Sequence, residues 1–356
     1  MAVNGGRFCE KIIMSEEKRT EIGELGEFGL IDKLAGNVRL YNSQTVMGIG
    51  DDAAVYDAGD EQILISTDML IEGVHFDLSY MPLQHLGYKA VAVNVSDIAA
   101  MNGTPKQITV SLGLSNRFSV EAVEMIYEGV RAACEAYRVD LVGGDTTASR
   151  SGLVISVTAI GTAAKDKIVY RRGAKENDIL CVTGDLGAAY VGLQVLEREK
   201  QEFLGNPGMQ PKLDKYPYIV GRQLRPTARL DIVHEFAQLD LVPTSMIDVS
   251  DGLASEIFHL CKNSGLGAAV FEEKIPIDKE AYETAAEFNL DPNTCALNGG
   301  EDYELLFTIS QEDFEKIKNH EDIHTIGYMQ AAEKGKAMVT RNGNTIELKA
   351  QGWTHF

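Results

Sequence analysis

Short acidic clusters interrupt the apolar runs of this chain, each flanked by glycine, serine or threonine: Gly50-Asp51-Asp52, Ser66-Thr67-Asp68, Ser96-Asp97, Gly143-Gly144-Asp145, Asp248-Val249-Ser250-Asp251 and Gly299-Gly300-Glu301-Asp302. A carboxylate at the tip of a buried apolar run is costly unless something partners it. The fold must therefore gather these run ends around positive charge or leave them outside as solvated turns. Hard cations such as Mg²⁺ take oxygen ligands, keep part of their water, and are held by a few carboxylates together with substrate phosphates. The pattern reads first as metal-dependent phosphate chemistry.

At 356 residues the chain is long for a single core, and two domains of roughly 150 to 190 residues are expected. Acidic residues number 53 against 33 basic ones, a formal charge of −20. That balance argues against nucleic acid, which needs a basic patch, and against an anionic membrane surface. It also sets a repulsion problem for any phosphate ligand, which bound Mg²⁺ would invert locally. Cys9, Cys134, Cys181, Cys261 and Cys295 are scattered, with no C-x-x-C spacing, so neither a zinc site nor a disulfide framework is indicated. No apolar run reaches 18 residues and the first 20 lack a signal-peptide core, so a reducing cytoplasm is expected. Residues 1–23 are expected to form a mobile extension, with Met14 a second candidate start.

Helical periodicity is expected over 24–34 and 120–138, and strand-like runs over 63–66, 90–95, 107–114 and 153–160. Composition turns charged over 164–178, which marks a crossing between domains. A strand over 179–183, a helix over 188–198 and a short strand leading into Asp248 follow, while 200–217 reads as an exposed insertion. The mixed order predicts α/β or α+β architecture, with domains at 24–164 and 165–356. Asn94-Val-Ser-Asp97 parallels Asp248-Val-Ser-Asp251, and Leu141-Val-Gly-Gly-Asp145 parallels Leu297-Asn-Gly-Gly-Glu301. The two pairs occur in the same order, which suggests domains of related architecture.

Each cluster has a plain structural alternative. Gly-Asp-Asp at 50–52 is also a common turn, and Ser66-Thr67-Asp68, Ser96-Asp97 and Ser250-Asp251 could cap helices. A helix N-terminus with free N–H groups is itself an anion site, so the two roles coexist. His75, between Val74 and Phe76, suits a packed core as well as a ligand. Trp353, the only tryptophan, suits a packing anchor for the tail. No G-x-x-x-x-G-K-[ST] loop or H-R-D kinase motif occurs, which excludes ordinary P-loop and protein-kinase chemistry.

Taken in order, Gly48-Ile-Gly-Asp-Asp-Ala-Ala54, Ser66-Thr-Asp-Met-Leu-Ile-Glu-Gly-Val-His-Phe76, Ala92-Val-Asn-Val-Ser-Asp-Ile-Ala-Ala-Met101, Gly143-Gly-Asp-Thr-Thr147, Ile247-Asp-Val-Ser-Asp-Gly-Leu253 and Gly299-Gly-Glu-Asp-Tyr-Glu-Leu305 resemble the thiamine-monophosphate kinase family. Its wider relatives are aminoimidazole ribonucleotide synthetase and selenophosphate synthetase. The resemblance implies a two-domain α+β synthetase-like fold. In it an N-terminal mixed α/β domain forms a β-barrel across a homodimer, and a C-terminal α+β domain completes the site. It implies several Mg²⁺ ions at Asp52, Ser66, Thr67, Asp68, Asp97, Asp145, Asp248 and Asp251, with Asp68, Asp97 and Asp248 at the catalytic centre. ATP would meet Gly144, Asp145, Arg171, Ser250 and Tyr127, and thiamine monophosphate would meet His75, Glu301 and Trp353. A monovalent cation is a further cofactor it admits.

Two alternatives stay open at this level. A related ATP-dependent synthetase is one, although Cys9 after Gly5-Gly6 has no lysine-rich companion loop, and the chain ends Gly-Trp-Thr-His-Phe rather than in a cysteine tail. The other is a nucleotide sensor that has lost catalysis, which would need fewer aligned carboxylates than this chain carries.

Overall fold

The structure is a computed structural model that describes residues 22–36, 38–208 and 210–350. The expectations for residues 1–21, including Cys9 and the second start, lie outside the described residues, as does the substrate role of Trp353. Backbone contacts separate a small unit containing helix α1 (Ile22–Ala35) from a large one that begins at Leu40.

In the large unit, β1 (Thr45–Met47), β2 (Ala54–Asp57) and β3 (Glu61–Ile71) lead into α2 (Leu83–Ala100), then β4 (Thr104–Leu114), α3 (Val120–Tyr137), β5 (Asp140–Ala148) and β6 (Val154–Ala164). The strands form one mixed sheet in the order β1-β2-β3-β6-β4-β5, antiparallel except for the parallel β4–β5 pair. After a crossing segment come β7 (Ile179–Thr183), α4 (Ala188–Gly205), α5 (Pro217–Leu224), α6 (Leu230–Gln238), β8 (Ser245–Asp248), α7 (Leu253–Ser264) and β9 (Gly267–Phe271). The chain continues with α8 (Lys279–Glu287), α9 (Pro292–Asn298), β10 (Leu305–Ile309), β11 (Ile323–Gln330), β12 (Lys336–Val339) and β13 (Thr345–Glu347). These strands build a second sheet, β13-β12-β9-β11-β7-β10-β8. Two α+β domains result.

The expected barrel is not formed. A barrel closes only when its first and last strands pair, whereas β1 pairs with β2 alone and β5 with β4 alone. β1 has three residues against nine in β5, so the two edges are also mismatched in length.

Helix α2 joins the domains. It packs against β3, β4 and β6 of the first sheet and against β8 of the second. Fourteen of its residues are buried, including Val91, Val95 and Ile98 at 0% exposure. Each such side chain contributes roughly 1.5–3 kcal/mol by leaving water. This burial on every side explains why 90–95 read as a strand: a helix apolar all round has no 3.6-residue stripe to betray it. Asp97 therefore stands inside a helix, not at a strand end. Ser66-Thr67-Asp68 and Gly143-Gly144-Asp145 likewise lie within β3 and β5 rather than after them.

The internal repeats dissolve for the same reason. Asn94–Asp97 is helical while Asp248–Asp251 runs from a strand end into a loop, and 141–145 is strand while 297–301 leaves α9. The expected insertion at 200–217 is also partly ordered. α4 continues to Gly205, and Lys200 Nζ bonds Asp77 at 2.7 Å.

Candidate functional site

Four separate segments deliver carboxylates to one place. On β3, side chains alternate between faces, which turns Ser66 and Asp68 toward α2 and Thr67 away from it. On α2, Asn94 and Asp97 are three residues apart and share a helix face. Asn94 Oδ1 accepts the Asp68 N–H at 3.0 Å, and Ser66 Oγ donates to Asp97 Oδ2. β8 ends at Asp248, whose Oδ2 accepts from Ser96 Oγ at 2.5 Å. Asp52 enters from the loop between β1 and β2.

Asp52, Asp97 and Asp248 can each offer one oxygen such that all lie within 4.8 Å of one another. The Asp68 carboxyl lies beside that of Asp97. Among the described residues, the guanidinium that pairs with this cluster comes from the crossing segment. Arg171 donates through Nη2 and Nε to the two Asp52 oxygens at 2.6 and 3.1 Å, and its backbone N–H bonds Asp51 at 3.1 Å.

One cation does not balance this charge. Burial, then Asp68, Asp248 and Asp52, push the Asp97 carboxyl well above the usual range. Burial and Asp52 push Asp248 up to about 7, burial raises Asp68, and burial with Asp52 brings Asp51 to about 6. The groups resist ionising together because like charges in a poorly solvated place repel. Oxygen donors converging from four segments, with negative charge in excess, suit Mg²⁺ in ligand type and number.

The second domain supplies a flank. Asp251 N–H bonds Glu256 Oε1 at 3.0 Å, and Glu256 is pushed well above its ordinary value by burial and then by Asp251. The 299–304 loop is stitched to the residues after Asp248: Glu301 N–H to Ser250 O at 2.7 Å, Tyr303 N–H to Val249 O at 2.8 Å and Val249 N–H to Glu304 O at 2.7 Å. Burial and then Glu301, with Asp68, Asp248 and Asp97 behind it, raise the Tyr303 phenol, so this loop borders the carboxylate cluster.

Of the residues expected at the site, Asp52, Ser66, Asp68, Asp97, Asp248 and Arg171 are linked directly, and Ser250, Asp251 and Glu301 adjoin them. Others stand elsewhere. Thr67 Oγ1 donates to Val157 O at 3.0 Å on the far side of β3. Gly144 pairs with Val110, and a Cβ there would fall 1.8 Å from the Val110 carbonyl oxygen, so the strand pairing alone requires glycine. Asp145, next to it, alternates to the sheet face shared with Thr67 and is exposed. Tyr127 packs half-buried against the core from α3. His75 sits in the turn after β3, its Nδ1 accepting the Ile71 N–H at 3.0 Å.

Sequence reasoning gave no site role to Asn94 and Glu256, which orient or border the carboxylates, or to Lys89, and took Ser96 as a neighbour or cap of Asp97. A lone lysine just ahead of the apolar run 90–95 was the available signal for Lys89. Glu256 had none, since an acid in a helix's first turn is common without function.

Residues 50–163 match the family model for the N-terminal domain of AIR synthase related proteins. The thiamine-monophosphate kinase of Bacillus subtilis is 35% identical over 345 residues, covering 93% of this chain and 100% of its own length. That of Aquifex aeolicus is 36% identical over 336 residues, covering 94% and 99%. A solved structure of AaThiL complexed with AMPPCP and TMP superposes with a TM-score of 0.81 at 35% identity, covering 96% of this chain and 100% of that one.

Proposed function

Because the chain belongs to the thiamine-monophosphate kinase family, we propose that it moves the γ-phosphoryl group of ATP onto the phosphate of thiamine monophosphate, giving thiamine diphosphate and ADP. The protein is an enzyme of the kinase class. The observation that carries the reading is the meeting of Asp52, Asp97 and Asp248 from three segments, with charge in excess of what Arg171 balances.

Asp52, Asp68, Asp97 and Asp248 would hold Mg²⁺, with Ser66 and Asp251 beside them. Bound there, the ions would neutralise phosphate charge and fix the two reactants in line. The protein's own groups have narrower tasks. Arg171 is suited to a phosphate because a guanidinium binds anions bidentately, and Ser250 would be a further nucleotide contact. Glu301, with its loop, faces the acceptor, whose ring is cationic. The acceptor oxygen needs no general base, since a phosphate monoester has a second pKa of about 6 and is largely ionised near neutrality. Orientation and charge balance are then the whole catalytic task.

Thr67, Gly144 and Asp145, on β5 and the outer face of β3, belong in this reading to a homodimer. Ile65, Met69 and Val142 are exposed there at 41, 52 and 59%, an apolar surface for a second copy. The domain division is put at 164/165, with domains at 24–164 and 165–356, and the compartment is the cytoplasm. Among the described residues no helix is long and apolar enough to cross a membrane. The test is incubation with ATP, Mg²⁺ and thiamine monophosphate, followed by oxidation to thiochrome and separation of the fluorescent products. Thiamine diphosphate thiochrome is expected; its absence defeats the proposal.

A further inference from the structure

We propose that Lys89 is a positioning residue of the acceptor site, fixing the Glu301 carboxylate and through it the 299–303 loop. The inference rests on the reading of Glu301 given above and extends it to a residue in the opposite domain.

Lys89 lies on α2 with its side chain 0% exposed. Its ammonium stands 2.8 Å from Glu301 Oε1 and donates to Gln223 O at 3.3 Å, while Gln223 Nε2 donates to Glu301 Oε2 at 2.7 Å. Both Glu301 oxygens are thereby held, yet its side chain stays 28% exposed and within reach of a ligand. A fully buried lysine is rare, and an apolar side chain in its place would serve packing better. A charge kept at such a position is explained by the orientation it imposes.

The loop needs that restraint. Gly300, Glu301 and Tyr303 have φ of 72°, 59° and 53°, a left-handed backbone that non-glycine residues hold only when their surroundings enforce it. Its far end is fastened independently, with Glu304 accepting from Arg222 at 2.9 Å and from Arg229 at 2.6 Å. Its near end follows Ser250 through the Glu301 N–H. Among the described residues, Lys89 and Gln223 are the side chains that bond the Glu301 carboxylate. Lys89 and Asp97 ride on the same rigid helix, eight residues and about 12 Å apart. Helix α2 thus sets the spacing between the carboxylate cluster and the group facing the cationic acceptor.

Steady-state kinetics with each substrate varied tests this on the full-length enzyme. Lys89→Met and Gln223→Leu should each raise KM for thiamine monophosphate about tenfold, with KM for ATP and kcat within about threefold of wild type. Lys89→Arg should restore part of the loss. In Glu301→Gln, adding Lys89→Met should raise that KM by less than about twofold more, because the two act as one unit. Equal rises in both KM values, or a Lys89→Met enzyme with an unchanged KM for thiamine monophosphate, would overturn the positioning role. Should Lys89→Met fail to fold, Gln223→Leu decides, since it removes the Glu301 bond without touching a buried charge. A wild-type enzyme that makes no thiamine diphosphate defeats the functional reading itself; an active wild type with unaltered variants defeats only Lys89.

Discussion

Asp97 is the residue with the least reason to be an aspartate unless a cation meets it. It is crowded by Asp68, Asp248 and Asp52, and Ser66 is the hydroxyl that offers it a hydrogen bond. Asp97→Asn should leave the fold intact and lower kcat about 100-fold or more; near-normal turnover would break the assignment of the cluster. Arg171→Met leaves the Asp52 side chain, itself 0% exposed, as an uncompensated buried charge. Loss of such a partner costs about 3–5 kcal/mol, so the variant's melting temperature should drop in EDTA and recover in part with millimolar Mg²⁺. Equal melting with and without Mg²⁺ would contradict the site. At this scale the acidic residues were legible, because glycine, serine and run ends flag them. Glu256 was not, because a single acid in a helix's first turn carries no spacing and only its burial reveals it, and Lys89 was marked only by its place ahead of the apolar run 90–95.

Helix α2 shows where element-level reading stops. Strands at 107–114 and 179–183 and the helix at 120–138 were visible because one face of each repeats at its own period or a short run is bounded by turns. The 90–95 stretch is buried on all sides, so its pattern matched a buried strand equally well. The same helix crosses α3 at touching backbones. A Cβ on Gly87 would lie 1.9 Å from Ile126 O, and one on Gly129 would lie 1.8 Å from Gln84 O. Gly129→Ala must push the helices apart and should cost about 1–3 kcal/mol or more, read as a lower urea midpoint. Since α2 carries Asp97, turnover should fall further than stability alone explains at temperatures where the variant is fully folded. An unchanged urea midpoint would show that the helices do not meet this closely. Strand β3 gives the converse lesson. Adjacent residues of Ser66-Thr67-Asp68 looked like one ligand set, but a period of two sends Thr67 to the opposite face.

At the scale of the whole molecule, the two-domain α+β plan was readable from the order of runs, while the closed barrel was not a property of this chain's open sheet. The formal charge of −20 acquires a location, since part of it is gathered at one site. Asp248 and Asp302 are pushed up to about 7, each chiefly by burial. The folded protein therefore keeps protons that the unfolded chain has released above about pH 4. Stability of the metal-free protein should fall as pH rises from about 4 to about 7, by about 1.4 kcal/mol per pH unit for each such group. The share owed to these two groups should level off beyond. Mg²⁺ should flatten the share owed to Asp248 and leave that of Asp302, measurable as urea midpoints at pH 5 and 7.5 with and without the ion. In the proposed function these carboxylates handle phosphates only through divalent cations. Phosphorus NMR of the enzyme with ATP and thiamine monophosphate tests it most directly. With Mg²⁺, the signals of thiamine diphosphate and ADP should grow together, and with excess EDTA neither should appear. Turnover that persists under chelation, or release of orthophosphate in place of thiamine diphosphate, would contradict the account.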